Sequence, residues 1–212
     1  MSPLMLTVAA IAISYVMGSI PTGLWLGLSL RGIDIRDHGS KNIGATNTMR
    51  VLGKGLGASA LLGDAVKGLV PVLLVSRLSD WPYAALACGI AAILGHLASL
   101  FLKFKGGKGV ATSLGVFLAL CPLPTAIAAI SFAVTVFISR MVSAGSIVGA
   151  VAMTASVYLL PHATATAPTK LLPPGPALQI VVTIVAVLVI VKHRANIQRI
   201  FRGEESKVFA KK

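Results

Sequence analysis

Three polar stretches stand apart in an otherwise apolar chain, and each carries residue types suited to holding an anion. The first is GSKNIGATN, Gly39 to Asn47, followed by Arg50. Gly39 and Gly44 let the backbone fold into a concave nest whose N–H groups point at an anion. Ser40, Asn42, Thr46 and Asn47 add neutral donors, and Arg50 adds a planar fork that matches phosphate oxygens. Composition alone would equally suit an ordinary polar loop. The second stretch is FKGGKGVAT, Phe104 to Thr112. It has the composition of a phosphate loop, although the spacing GxxxxGK[ST] is not satisfied. Gly106, Gly107 and Gly109 permit close backbone approach, and Lys105 and Lys108 supply charge. A helix is expected to open directly after, its positive end toward the loop. A basic loop that only sets topology would account for the lysines but not for three glycines in four positions. The third stretch is KHRANIQR, Lys192 to Arg199. His193 and Asn196 lie three apart and so share one face of a helix. A neutral imidazole there can accept a proton near pH 7, and Asn196 can hold a hydroxyl or fix the ring. A membrane-surface helix with snorkelling basic residues fits Arg199 and Arg202 as well.

Smaller signals surround these. Ser143 is expected to cap a helix, with Ser146 one turn inside and facing the same way. A cap explains Ser143 and leaves Ser146 available to a ligand. Asp64 and Lys67 fall inside an apolar run, where an i, i+3 charge pair is costly unless partnered; a structural ion pair is the expectation. His96 reads as a hydrogen-bonded packing residue, and Cys88 and Cys121 as small core residues. No His/Cys/Asp/Glu cluster has the spacing of a metal site, so neither metal nor cofactor is expected.

The elements that must position these residues are membrane spans. The chain is 56% hydrophobic and 12% charged, with a mean hydropathy of +0.88. A soluble domain carries about twice that charge. A bilayer core about 30 Å thick takes about 20 helical residues. Seven apolar segments answer to this, at roughly 4–30, 55–76, 82–102, 109–121, 123–139, 144–160 and 177–191. The first has no Lys or Arg before it and exceeds a signal peptide's apolar core, so it reads as a span. The fourth is too short to cross upright. It either joins its neighbour at Pro122 and Pro124, giving six spans, or lies where its backbone is buried in protein. The charges favour seven. With the N-terminus outside, sixteen of the nineteen Lys and Arg residues fall on one side, which basic loops mark as cytoplasmic. The expected fold is therefore all-α: one polytopic bundle over residues 1–212, its seventh span ending inside and its chemistry facing the cytoplasm. The net charge of +13 suits anionic lipid and phosphate substrates. Without an aromatic-rich basic patch, nucleic acid is not expected.

Taken together, the motifs resemble a known family. GSKNIGATN with Arg50, GD-x-x-KG at Gly63 to Gly68, GH-x6-KFKGGKGVAT from Gly95 to Thr112, VS-x-x-SI at Val142 to Ile147, and HR-x-NI at His193 to Ile197 occur in the order and spacing of the acyl-phosphate-dependent glycerol-3-phosphate acyltransferases. That resemblance implies seven spans, N-terminus out and C-terminus in, in a bacterial plasma membrane. It implies acyl transfer from acyl phosphate to the 1-hydroxyl of sn-glycerol 3-phosphate, without metal or cofactor, as the first acylation of phospholipid synthesis. Gly39 to Asn47, with Ser40 and Thr46, would hold the acyl-phosphate head. Arg50, Lys108 and Ser146 would hold glycerol 3-phosphate, with Gly106 and Gly107 giving close approach. His193 would deprotonate or orient the hydroxyl, beside Asn196. At Ala195 the resemblance leads one to expect a glutamate, and its replacement raises the question of what holds His193 and Asn196. A transporter would show broken helices at matching places in two internal halves, and no such symmetry is visible. The acyltransferases that carry HxxxxD are excluded: Ile43, Phe101, Ala167 and Gln198 stand five positions after the four histidines.

Overall fold

The computed structural model describes residues 2–160 and 175–208, and all its regular elements there are helical. Lys170 and most of the expected outer loop from Pro161 lie outside the described residues. Two compact units emerge, Met1–Leu120 and Cys121–Lys212.

In the first unit, α1 (Pro3–Ser19) opens on Pro3, whose missing N–H is no loss at a first helical position, and Ser2 accepts a bond from the Met5 N–H. The apolar run expected as one element at 4–30 is broken. Ile20 and Pro21 leave helical geometry, and α2 (Thr22–Arg31) departs at 49°. Proline cannot donate to the preceding turn, so α1 stops there. Gly32, at φ +63°, ends α2 in the left-handed conformation that glycine adopts without cost. A short helix not foreseen from the apolar pattern follows, α3 (Ala45–Leu52), then α4 (Lys54–Leu78). At 25 residues α4 is about 37 Å long, enough to cross a bilayer. α5 (Ala84–Leu97) continues into a 3-10 turn, Leu100–Leu102, and α6 (Val110–Leu120) is 11 residues long.

Small residues let these helices touch backbone to backbone. A Cβ on Gly18 would stand 2.1 Å from the Ala92 carbonyl oxygen, joining α1 to α5. One on Gly115 would stand 1.9 Å from that of Ala65, joining α6 to α4.

The second unit holds α7 (Pro122–Ser139), α8 (Val142–Leu159), α9 (Gly175–Lys192) and α10 (Arg194–Phe201). α6 ends at Leu120 and α7 begins at Pro122, so the short fourth segment is a helix of its own rather than a part of its neighbour. α7 and α8 meet where Gly145 lies against Phe132 and Val136. α9 and α10 bend by 56° at His193. Large apolar side chains face outward, Phe137 87% exposed and Leu159 77%, as lipid-facing residues do. Among the described residues four helices are long and apolar enough to span, or up to six with each bent pair counted as one span; α6 is shorter.

Candidate active site

In the first unit, GSKNIGATN folds back on α3. Asn47 is 1% exposed and spends its side chain on the loop itself. Its Nδ2 donates to the carbonyls of Ile35 (2.8 Å) and His38 (3.2 Å), and its Oδ1 accepts the Ser40 N–H at 2.8 Å. Asn42 Oδ1 accepts the Gly44 N–H at 2.8 Å. The Asn47 amide, expected as a donor to a ligand, has its N–H groups on the turn itself, and the Asn42 carbonyl oxygen braces the same turn, because a tight loop leaves backbone groups that nothing else nearby can satisfy. Gly39 holds φ +60°, and a Cβ there would meet Asn47 Oδ1 at 2.4 Å and Arg50 Cδ at 3.3 Å. The turn therefore lies directly over Arg50. Ser40 and Arg50 are exposed and Thr46 half-buried, with Thr46 and Arg50 one turn apart on α3. These are the side chains the loop presents outward. Before it, Asp34 and Arg36 form an exposed pair. The hydrogen bond from Arg36 holds the Asp34 carboxyl below its usual range.

The second loop runs from Lys103 to Gly109, with Lys103, Phe104 and Gly109 at positive φ. The close approach foreseen for its glycines is real, but the neighbour is protein. A Cβ on Gly106 would stand 2.0 Å from the His96 carbonyl oxygen, and one on Gly107 2.3 Å from His96 Nε2. The Gly107 N–H donates to that same carbonyl at 3.1 Å. The glycines thus lay the loop on the end of α5. Lys105 is exposed and Lys108 half-buried, and α6 opens after Gly109 as expected. In its first turns Thr112 Oγ1 and Ser113 Oγ are buried and have no hydrogen-bond partner among the described residues. Asp64 and Lys67 form the foreseen ion pair at 2.7 Å, and His96 is buried beside it.

In the second unit, His193 does not share an unbroken helix with Asn196. It occupies the bend ahead of α10 and is 3% exposed, which removes the surface-helix reading for that residue. Its Nδ1 lies 2.7 Å from the Val189 carbonyl oxygen. A carbonyl only accepts, so Nδ1 carries the proton, which in a neutral ring puts the lone pair at Nε2. Asn196 is held by a carboxylate that sequence reasoning missed. Glu205 Oε1 accepts from Asn196 Nδ2 (2.6 Å) and Ser143 Oγ (2.7 Å), and its Oε2 accepts from Arg199 Nε (2.7 Å). Burial would raise the Glu205 pKa, but the three hydrogen bonds outweigh it and hold the carboxyl below its usual range. The question posed by Ala195 thus has two answers: a carboxylate from the C-terminal tail holds Asn196, and the Val189 carbonyl holds His193. Its one sequence signal was that Glu204 and Glu205 are the sole acidic residues after Asp80. Ser143 is not the expected cap, since α8 starts at Val142 with Met141 as its cap residue. Ser146 is buried on α8, donating to the Val142 carbonyl at 2.9 Å.

The first unit thus carries two loops with the cationic side chains of Arg50, Lys105 and Lys108, and the second an imidazole and an amide braced by Glu205.

Comparison with known proteins gives a consistent result. A sequence model described as glycerol-3-phosphate acyltransferase matches residues 8–203. The glycerol-3-phosphate acyltransferase of Trichlorobacter lovleyi is 47% identical over 93% of this chain and 95% of its own. That of Geobacter sulfurreducens is 46% identical, with 92% and 94% covered. Among solved structures, PlsY (YgiH), an integral membrane glycerol 3-phosphate acyltransferase, superposes in its glycerol 3-phosphate form with a TM-score of 0.81 at 31% identity, covering 95% of this chain and 94% of that one. Its lysophosphatidic acid form superposes with a TM-score of 0.79.

Proposed function

The chain belongs to the glycerol-3-phosphate acyltransferase family, and on that premise we propose that it moves a fatty acyl group from acyl phosphate to the 1-hydroxyl of sn-glycerol 3-phosphate. The products are 1-acylglycerol 3-phosphate and inorganic phosphate. The carrying observation is a family match that runs through both units and takes in all five motifs. That continuity also supports one domain over residues 1–212. The enzyme is an acyltransferase and a multi-pass membrane protein.

The chemistry asks little of the protein beyond binding and charge placement. Acyl phosphate is a mixed anhydride and arrives activated. The glycerol hydroxyl attacks the carbonyl carbon, a new ester C–O bond forms, and the bond from that carbon to the phosphate oxygen breaks. Donors aimed at the developing oxyanion are worth about 2.7–4 kcal/mol each. Backbone N–H groups of Gly39 to Asn47, with Ser40 and Thr46, are assigned to the acyl-phosphate head. Arg50 and Lys108 are assigned to the phosphate of glycerol 3-phosphate, and Ser146 to a hydrogen bond with that substrate. Lys105 raises the local cationic charge, and Gly106, Gly107 and Gly109 shape the loop. His193 either takes the hydroxyl proton at Nε2 or orients the substrate while a phosphate oxygen takes it. Asn196, braced by Glu205, fixes the same hydroxyl.

Seven spans are proposed: α1 with α2, then α4, α5, α6, α7, α8 and α9. The N-terminus is outside and the C-terminus in the cytoplasm of a bacterial plasma membrane, with the active-site residues on the inner face. The skew of basic residues supports this, and α6 makes a short span because protein can bury what lipid cannot solvate.

Purified protein in lipid, offered palmitoyl phosphate or palmitoyl-CoA, tests the donor. Acylglycerol phosphate should form from the phosphate alone, and EDTA should leave the rate unchanged. Equal turnover of both donors would overturn the donor assignment, and a chelator-sensitive rate restored by Mg²⁺ would overturn the metal-free chemistry.

A further inference from the structure

Four polar side chains meet inside the apolar interior of the first unit. Lys67 Nζ stands 2.7 Å from Asp64 Oδ1, their side chains 6% and 3% exposed. Thr22 Oγ1 donates to that oxygen at 3.0 Å, and His96 Nδ1 lies 3.9 Å from it. Lys67 Nζ also donates to the Ile20 carbonyl at 2.6 Å. A buried ion pair kept only for stability is replaceable by apolar side chains of similar volume, often at no loss. In a span it is costly as well. What an apolar pair cannot do is what this one does: it binds both sides of the break in the first span. Lys67 takes the carbonyl that closes α1, and Asp64 takes the first residue of α2.

Both candidate loops rest on this arrangement. α2 lies against the first: a Cβ on Gly23 would stand 2.3 Å from Thr48 Oγ1 and 2.5 Å from the Ile43 carbonyl oxygen, and one on Gly27 2.6 Å from that of Ile33. His96 carries the second through Gly107, which packs on its ring and bonds its carbonyl.

We propose that Asp64, Lys67, Thr22 and His96 are positioning residues which set the two glycine-rich loops relative to each other for the acyl transfer proposed above. They act through α2 and α5 on the loop backbones. A shift of about 1 Å in such elements is enough to cost about 100-fold in rate. The inference rests on the proposed function for what the loops do, but not for how they are held.

The test compares Thr22→Val, His96→Gln, Asp64→Asn and the exchanged pair Asp64→Lys with Lys67→Asp, in lipid nanodiscs. Two readouts are taken: KM for palmitoyl phosphate and glycerol 3-phosphate separately, and amide hydrogen exchange over residues 36–52 and 103–112. Thr22→Val should speed exchange in the first segment and raise KM for palmitoyl phosphate. His96→Gln should loosen the second segment and raise KM for glycerol 3-phosphate. Asp64→Asn should do both, by about 10-fold in each KM, the worth of a charge-assisted hydrogen bond. The exchanged pair restores neutrality but offers no donor to Ile20 and no acceptor to Thr22, so it should behave as Asp64→Asn. Wild-type kinetics and exchange in the exchanged pair would overturn the proposal. So would variants that lose thermal stability while both loops keep their protection and both KM values stand. The exchange arm needs no turnover. A wild-type enzyme inactive with palmitoyl phosphate would sink the donor assignment and leave the positioning cluster still to be judged by exchange.

Discussion

Single side chains carry the sharpest predictions. Arg50 and Lys108 present charge beside loops in which the Asn47 amide is committed to holding the fold. Arg50→Ala and Lys108→Ala should each remove a charge-assisted contact worth about 1.5–3 kcal/mol, or about 10- to 150-fold in kcat/KM for glycerol 3-phosphate. Near-normal kinetics in both folded variants would leave these loops a purely topological role. His193 separates two mechanisms, since its Nδ1 proton is tied to Val189 and its basic nitrogen is Nε2. A general base contributes about 10²–10⁴-fold. We expect His193→Gln to stay within about tenfold of wild type in kcat, because acyl phosphate brings its own basic oxygens. A loss as deep as that of His193→Ala would return the proton to the imidazole. Glu205 sets a pH dependence. Its folded pKa lies below the ordinary value of 4.5. The stability it contributes is therefore present above that value and lost as pH falls through the depressed folded pKa. Glu205→Gln should lower thermal stability at neutral pH and flatten the acid loss below about pH 4.5. An unchanged acid limb would show that the carboxylate is not what titrates. Above that window Glu205→Gln should also loosen Asn196 and lower kcat.

Among helices, the closest approaches fall at glycines. Gly115→Ala would push a Cβ to within 1.9 Å of the Ala65 carbonyl oxygen, a backbone atom on another helix that has no rotamer to give. Gly55, near the start of α4, has nothing within 4 Å of the same added atom and no positive φ. Gly55→Ala should therefore stabilise by up to about 1 kcal/mol through chain entropy, while Gly115→Ala should lower folded yield or melting temperature clearly. Thermal unfolding of both in one detergent checks the contrast, and equal effects would mean that the α4–α6 contact is looser than the backbone geometry requires.

For the whole molecule the testable property is topology. Single cysteines at positions 41 and 207 should react with an impermeant reagent only from the cytoplasmic side if the proposed topology holds, since it places sixteen of nineteen basic residues there. Labelling from opposite faces would reject the seven-span count. The companion site at Ala165, expected outside, lies beyond the described residues, and the same experiment places it.

Much of this protein is one-dimensional information. Apolar run length sets which segments become helices in lipid, and each of the seven runs forms helix, the first as two helices broken at Ile20 and Pro21. The basic skew, the two cationic glycine-rich loops and the order of the motifs also depend on residue type and spacing alone. Tertiary structure decided who partners whom. The break at Ile20 and Pro21 divides a run read as one element, and its anchoring by Asp64 joins Thr22 to a residue 42 positions away. Ser143 looked like a cap because Ser suits one, yet its hydroxyl serves Glu205, 62 positions on. Asn47 looked like a ligand donor because its amide is polar, whereas burial turned that amide toward the nearest unsatisfied carbonyls. Gly106 and Gly107 were legible as close-approach residues, but only the fold shows that they approach His96. Donor count, charge and conformational freedom belong to a residue wherever it sits. The partner that uses them is set by which distant backbone the helices bring within about 3 Å.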